Sequence, residues 1–323
     1  FTSHPREFCY KSYQQGELHM PLDNTPTNDE ILQSSDLKSM LPATNVTRRM
    51  FVAGAAVTSG LALSVRPARA SMIKTSMDGL RGGMINIPTS DGSIPGYMAM
   101  PATGTNHPVI LVVQEIFGVH EHIKDVCRRL AKQGHLAIAP EMYHRQGDAS
   151  KYTFKQIRQL IGEVVAKVPD KQVMSDLDAT VKFAARNNGD ADKLAITGFC
   201  WGGRVVWMYA AHNPNVKAGV AWYGRIIGRG QNPNTPTHPI DVAGKIKSPI
   251  LGLYGGKDGG IPVDTVRQME AKVKASGNPN VEIVIYPDAP HAFHADYRPS
   301  YREAAAKDGW KRLSDWLKIH GAA

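Results

Sequence analysis

The stretch at residues 198–202 constrains the fold of this chain more than any other part of its sequence. It reads Gly-Phe-Cys-Trp-Gly and follows the apolar residues 194–196, with Thr197 between them. Small residues on either side of a central nucleophile let a chain turn from strand to helix within a few residues, and the turn exposes the central side chain in a cleft. The pattern therefore predicts a strand, a sharp turn at Cys200 and then a helix.

Cys200 is the candidate nucleophile of that turn. The N–H groups and dipole at the start of the following helix favour a thiolate over a thiol. The alternative is a buried structural cysteine, since free cysteine is among the most buried residue types. Burial alone does not account for the glycines on both sides, so we favour the nucleophile.

The first 70 residues differ from the rest of the chain. Residues 1–46 are polar and without periodicity, and we expect them to be disordered. Residues 47–70 contain Arg48 and Arg49, then an apolar run of about 15 residues, shorter than the roughly 20 of a membrane span. Ala68-Arg69-Ala70 has the form of a signal-peptidase site, which would leave Ser71 as the mature start.

This segment resembles a twin-arginine export signal, which implies a periplasmic protein without a permanent membrane anchor. A buried alanine-rich helix beside two surface arginines, in a cytoplasmic protein, is the alternative. Phe1 is not an initiator residue.

Strand and helix patterns alternate after a predicted hairpin at residues 83–102. Short, uninterrupted apolar runs typical of strands buried on both faces alternate with helical patterns, and this favours a mostly parallel sheet covered by helices on both faces. No linker divides residues 71–323, so we expect one α/β domain there. The strand candidates are residues 109–113, 136–139, 194–197, 216–222, 250–254 and 281–286.

Net charge and cysteine content limit the ligands that this chain can bind and the class of protein to which it can belong. The formal net charge of +9 favours anionic small molecules, while the dispersion of the basic residues argues against nucleic-acid binding. Three cysteines are too few for a disulfide-rich scaffold. Cys127 falls on the apolar stripe of a predicted helix over residues 120–133, so we interpret it as a core residue.

Two strand ends downstream of Cys200 carry the groups that a thiol nucleophile needs. Asp258 lies in a glycine-rich loop after one strand, and His291 lies in the turn after the next. The carboxyl ends of parallel strands meet at one sheet edge, and nucleophile, acid and histidine in this chain order are typical of a fold with such an elbow. We therefore expect Asp258 to orient His291 as the base.

An oxyanion formed by attack of the thiol needs two N–H donors. They are expected after the nucleophile and in the loop after the first parallel strand, which predicts Trp201 and Ile116. Glu115 directly follows that buried strand, where a charge must be exposed, paired or functional. An ordinary exposed glutamate is the alternative.

Together these residues resemble the dienelactone hydrolase (carboxymethylenebutenolidase) family of the α/β-hydrolase fold. The resemblance implies a Cys200, His291 and Asp258 triad, with Glu115 as a second carboxylate that helps generate the thiolate. It also implies that Arg145, with Tyr143 in the same motif, contacts the substrate. The matching segments are residues 114–118, 140–145, 198–203, Tyr254-Gly255 with Asp258, and 291–293.

One position departs from the family pattern. Ala295 stands where the family has a substrate-binding arginine, so the resemblance supplies no arginine at this position for a substrate carboxylate. Arg298 or His294 are candidate replacements, although we expect His294 at the surface or behind the site. Paired histidines lack the further ligands of a zinc site, so no metal or other cofactor is predicted.

The sequence thus predicts a monomeric hydrolase that cleaves an ester or lactone through a thioester acyl-enzyme. Two alternatives stay open. One is a general carboxylesterase or thioesterase without lactone preference, and the other is a non-catalytic binding protein that uses the same fold.

Overall fold

The computed structural model describes residues 72–228 and 232–323. The predicted disordered extension at residues 1–46 and the export-signal prediction at residues 47–70 lie outside the described residues. Within the part of the chain that is described, no helix combines the length and the apolar character needed to cross a membrane.

A single eight-stranded sheet runs through the described residues, in the order β1-β2-β4-β3-β5-β6-β7-β8. β1 and β2 form the predicted hairpin, β2 pairs antiparallel with β4, and the pairs from β4 to β8 are parallel. The strands are β1 (Leu80–Thr89), β2 (Gly92–Pro101), β3 (His107–Val113), β4 (Leu136–Pro140), β5 (Gly189–Phe199), β6 (Ala218–Trp222), β7 (Ile250–Gly255) and β8 (Val281–Tyr286).

Helices connect the parallel strands and pack against the sheet. The first shows why: Ile123, Val126, Cys127 and Leu130 recur at helical spacing and are all fully buried. The helices are α1 (Glu121–Lys132), α2 (Ile157–Glu163), α3 (Asp170–Ala185), α4 (Trp201–His212), α5 (Pro239–Val242), α6 (Val263–Ala275) and α7 (Glu303–Ile319).

Burial of the central strands explains their uninterrupted apolar sequences. Every residue of β4 and of β6 is buried, as expected for strands with helices against both faces. The sheet order and the helical cover confirm the predicted α/β-hydrolase fold. The domain bounds at residues 71–323 remain a prediction.

Parallel pairing also fixes where the candidate residues meet. β3, β5, β7 and β8 run in the same direction, so the loops that follow them lie at one edge of the sheet. Those loops carry Glu115, Cys200, Asp258 and His291. The fold therefore gathers residues that are far apart in sequence at the carboxyl edge of the sheet.

Candidate active site

Cys200 occupies the turn between β5 and α4 with strained backbone geometry. Its φ of +56° lies in the left-handed region, which a residue with a side chain rarely adopts. The backbone N–H donates to the carbonyl oxygen of Trp222 at 3.0 Å, which ties the turn to β6. Only 7% of the residue is exposed. The turn therefore holds the sulfur in a nearly closed site at the start of a helix.

The glycines beside Cys200 are required by close backbone packing. A Cβ at Gly198 would lie 2.3 Å from the carbonyl oxygen of Gly202, and one at Gly202 would lie 2.4 Å from that of Val113. Contacts that short are not tolerated against backbone. The two glycines thus let α4 begin against the ends of β3 and β5.

Asp258 and His291 form a buried pair in the loops after β7 and β8. His291 Nδ1 lies 2.6 Å from Asp258 Oδ2, and Asp258 Oδ1 accepts the backbone N–H of Gly260 at 2.9 Å. The exposed fractions are 6% for Asp258 and 4% for His291. A carboxylate on Nδ1 holds the ring in the tautomer whose Nε2 can accept a proton, which is the arrangement of a general base.

Glu115 is fully buried and is held through a single oxygen. Its Oε2 accepts hydrogen bonds from the Tyr297 hydroxyl and from Arg298 Nη2, the latter at 3.1 Å. The Arg298 guanidinium also lies 5.1 Å from the centre of the Phe117 ring. Arg298, a candidate replacement for the missing arginine, is therefore paired with Glu115 in this structure.

The two oxyanion-hole candidates lie in the predicted elements, one at the start of the helix after Cys200 and one in the loop after β3. Trp201 is the first residue of α4, where backbone N–H groups have no partner within the helix. Ile116 lies in the loop after β3 and is 3% exposed. The Tyr143 hydroxyl donates to the Glu115 carbonyl at 3.2 Å, and its ring contacts Trp201, so Tyr143 braces both segments. The roles of Ile116, Trp201 and Tyr143 remain predictions.

Arg145 has carboxylate partners that belong to the protein. Its Nε donates to Asp91 Oδ2 at 2.7 Å, and its Nη1 donates to Asp176 Oδ2 at 2.8 Å. Nη2 also donates to Thr89 Oγ1 at 3.1 Å. The structure brings Arg145 to the β1–β2 turn and α3, and its predicted contact with a substrate carboxylate would require these bonds to be given up.

His294 is buried and does not lie at the surface. It is 2% exposed, and its ring stacks between those of Phe199 and Trp310 at 5.1 and 5.7 Å. Burial lowers the pKa of His294 well below its usual value. Of the two positions expected for His294, at the surface or behind the site, the first is excluded because the aromatic residues of β5 and α7 pack against the ring.

Tyr223 and Tyr297 lie near the candidate site but were not predicted from the sequence, and His120 was considered only as a rejected zinc ligand. The Tyr223 ring lies 5.1 Å from that of His291, and burial raises the pKa of Tyr223 well above its usual value. Tyr223 directly follows β6, so the rule that strand ends carry site residues could have found it. Tyr297 lies in a turn and His120 directly precedes α1, and neither position carries a comparable signal.

Metal binding has no structural support in the described ranges, where no group of three or more histidine, cysteine, aspartate or glutamate side chains could hold an ion. The prediction that the protein uses no metal or cofactor stays a prediction.

A mostly parallel sheet with a cysteine at a strand-to-helix turn, and with acid and histidine loops at the same edge, defines an α/β hydrolase. The model of the dienelactone hydrolase family matches residues 94–321. The chain therefore belongs to the dienelactone hydrolase family and is a hydrolase of that type.

Relatives agree with this assignment over nearly their whole length. A putative carboxymethylenebutenolidase of Methylorubrum extorquens is 57% identical over 292 residues, which cover 90% of this chain and 98% of the relative. A protein of Salmonella typhimurium with the same description is 52% identical, over 81% of this chain and 96% of its own.

A solved structure is also similar. The crystal structure of a putative dienelactone hydrolase from Klebsiella pneumoniae superposes with a TM-score of 0.71 at 53% identity, covering 74% of this chain and 98% of that one.

Proposed function

We propose that this hydrolase cleaves an ester or lactone through a thioester formed on Cys200. The observation that carries the proposal is the Asp258–His291 hydrogen bond of 2.6 Å, at the sheet edge where the strained turn holds Cys200. A nucleophile, a base and a group that orients the base are the parts that acyl transfer requires.

In the proposed mechanism the Cys200 thiol gives its proton to Glu115 or His291, and the thiolate that results attacks the carbonyl carbon. The negative oxygen that forms accepts hydrogen bonds from the N–H groups of Ile116 and Trp201. The C–O bond then breaks, and the leaving oxygen takes the proton. Water, deprotonated by His291, attacks the thioester and releases the acid and the thiol.

The proposed substrate is a small lactone of the kind named in the relatives' descriptions. A carboxylate on that substrate has no ready partner in Arg145 or Arg298, because the protein's own carboxylates bind both guanidinium groups. These pairs favour a second candidate, a carboxylesterase or thioesterase that does not require a lactone. We further propose that the enzyme is monomeric and acts in the periplasm.

The experiment is a hydrolysis panel of carboxylated lactones, uncharged lactones and short nitrophenyl esters. Cys200→Ala should lower kcat at least about 10³-fold on every substrate. Rapid quenching of the wild type should trap an acyl group on Cys200, detectable by mass spectrometry. Retained hydrolysis by Cys200→Ala contradicts the mechanism, and equal kcat/KM for lactones and esters favours the second candidate.

Cys127→Ala is the matched control. Burial raises the pKa of the Cys127 thiol far above its usual value, and the residue lies on the buried face of α1. This variant should therefore hydrolyse the panel at the wild-type rate. The same panel rejects the non-catalytic alternative, since a binding protein would leave every substrate intact.

A further inference from the structure

Two consecutive residues after β8 bind the same oxygen of Glu115. The Tyr297 hydroxyl donates to Oε2, and Arg298 Nη2 donates to it at 3.1 Å. Arg298 Nε also donates to the Tyr297 hydroxyl at 3.0 Å, which closes a triangle of hydrogen bonds. Glu115 Oε1 is buried and has no hydrogen-bond partner among the described residues. The triangle therefore fixes one carboxylate oxygen and leaves the other open to accept a proton.

Other ionisable groups also face Glu115 and Tyr297. From the start of α1, His120 Nε2 lies 4.0 Å from Glu115 Oε2, and the His120 and His122 rings lie 4.9 and 5.3 Å from that of Tyr297. Burial lowers the pKa of His120 well below its usual value, so His120 is neutral there. The positive charge at Glu115 therefore comes from Arg298.

The remaining neighbours are phenols and the nucleophile. Tyr143, in the loop after β4, donates a hydrogen bond to the Glu115 carbonyl. Burial raises the pKa of Tyr223, and the negative charges of Glu115 and Cys200 both act to raise it further. Burial, and then the negative charge of Glu115, raises the pKa of Tyr297 well above its usual value, against the effect of Arg298. Tyr297 thus stays protonated and remains a hydrogen-bond donor.

We propose that Tyr297 is a positioning residue that keeps Glu115 ionised and oriented for proton transfer from Cys200. This inference rests on the proposed role of Glu115 as an acceptor of the thiol proton. A hydrogen bond to the charged form of a carboxyl stabilises that form. Tyr297 can hold its hydroxyl in place because its ring stacks with that of Phe154, at 6.4 Å between centres, and makes an edge-to-face contact with that of His120.

Tyr297→Phe removes the hydroxyl and keeps these ring contacts. Loss of one hydrogen bond to the carboxylate should move the acid limb of the kcat/KM profile up by about one pH unit. With a nitrophenyl ester, kcat should fall about tenfold at pH 5 and less than about twofold at pH 8, with KM unchanged. An acid limb that stays in place overturns the proposal.

Tyr152→Phe is the matched control, since the Tyr152 hydroxyl bonds the exposed carboxylate of Glu163 outside the site. Its pH profile should equal that of the wild type. Replacement of Tyr297 by 3,5-difluorotyrosine should shift the acid limb in the opposite direction from Tyr297→Phe, because a more acidic phenol is a stronger hydrogen-bond donor. It should move the acid limb down, and an upward shift contradicts the proposal.

A double variant locates the effect at Glu115. In a Glu115→Gln background, Tyr297→Phe should add no further change in the profile, because the carboxylate through which it acts is gone. An unchanged effect in that background shows that Tyr297 acts elsewhere and overturns the proposal.

Failure of the proposed function is distinguishable from failure of this inference. Hydrolysis that survives Cys200→Ala removes the function. The role of Tyr297 is tested without turnover by measuring, as a function of pH, the rate at which iodoacetamide alkylates Cys200. That profile should respond to Tyr297→Phe when Glu115 is present and should not respond in Glu115→Gln.

Discussion

Arg145 joins the hairpin to α3 through Asp176, whose side chain is only 2% exposed. The two residues share two hydrogen bonds, of 2.8 and 3.1 Å, while the exposed carboxylate of Asp91 binds the same guanidinium from the β1–β2 turn. The arginine that the family pattern links with substrate is thus part of a structural network in this protein.

Arg145→Ala should therefore destabilise the fold without a specific loss of substrate carboxylate binding. Leaving Asp176 buried without its partner should cost about 2–4 kcal/mol in the free energy of unfolding, measured by urea denaturation. KM should change by the same factor for carboxylated and uncharged lactones. A KM that rises only for the carboxylated substrates would restore the predicted substrate contact.

The Arg145–Asp91 ion pair makes the stability of the protein depend on pH in acid. The Arg145 hydrogen bond lowers the pKa of Asp91 from 3.8 to about 2. Asp91 therefore contributes stability that is present above pH 3.8 and is lost as the pH falls through about 2. In Arg145→Ala this part of the acid destabilisation should disappear from the unfolding midpoints, and an unaltered pH dependence would contradict the assignment.

Gly202→Ala should destabilise the protein even though alanine is the better helix former. The new Cβ would lie 2.4 Å from the Val113 carbonyl oxygen, so either α4 or β3 must shift. We expect a loss of at least about 2 kcal/mol in the free energy of unfolding. Gly244→Ala is the control, because nothing lies within 4 Å of its Cβ position, and it should leave stability nearly unchanged.

Asp258→Asn should lower kcat by roughly 10³–10⁴-fold while the protein remains folded, because the amide no longer fixes the required tautomer of His291. Asp288→Asn is a control from the same pair of loops. Asp288 is exposed and binds Lys257, so its replacement should leave kcat unchanged. Equal activities of the two variants would exclude the proposed role of Asp258.

Local sequence signals predicted the strands, the elbow and the residues at strand ends because each depends on short-range chemistry. Glycine on both sides of Cys200 indicated close backbone packing, and the structure has that packing at Gly198 and Gly202. The partners of the long charged side chains were not predictable. Arg145 and Arg298 select their carboxylates across the fold, and nothing near either residue in sequence identifies Asp176 or Glu115.

Buried imidazoles predict a further loss of stability in mild acid. Burial lowers the pKa of His294 below 6.5, so the unfolded chain binds a proton that the folded protein excludes. His294 therefore has no effect on the pH dependence of the unfolding free energy above pH 6.5, and it lowers that free energy as the pH falls below 6.5. His294→Phe keeps a ring between Phe199 and Trp310 and should flatten the fall in unfolding free energy between about pH 7 and pH 5. His144→Gln, at an exposed position, should keep the wild-type slope, and a His294→Phe slope equal to that of the wild type would show that His294 does not contribute.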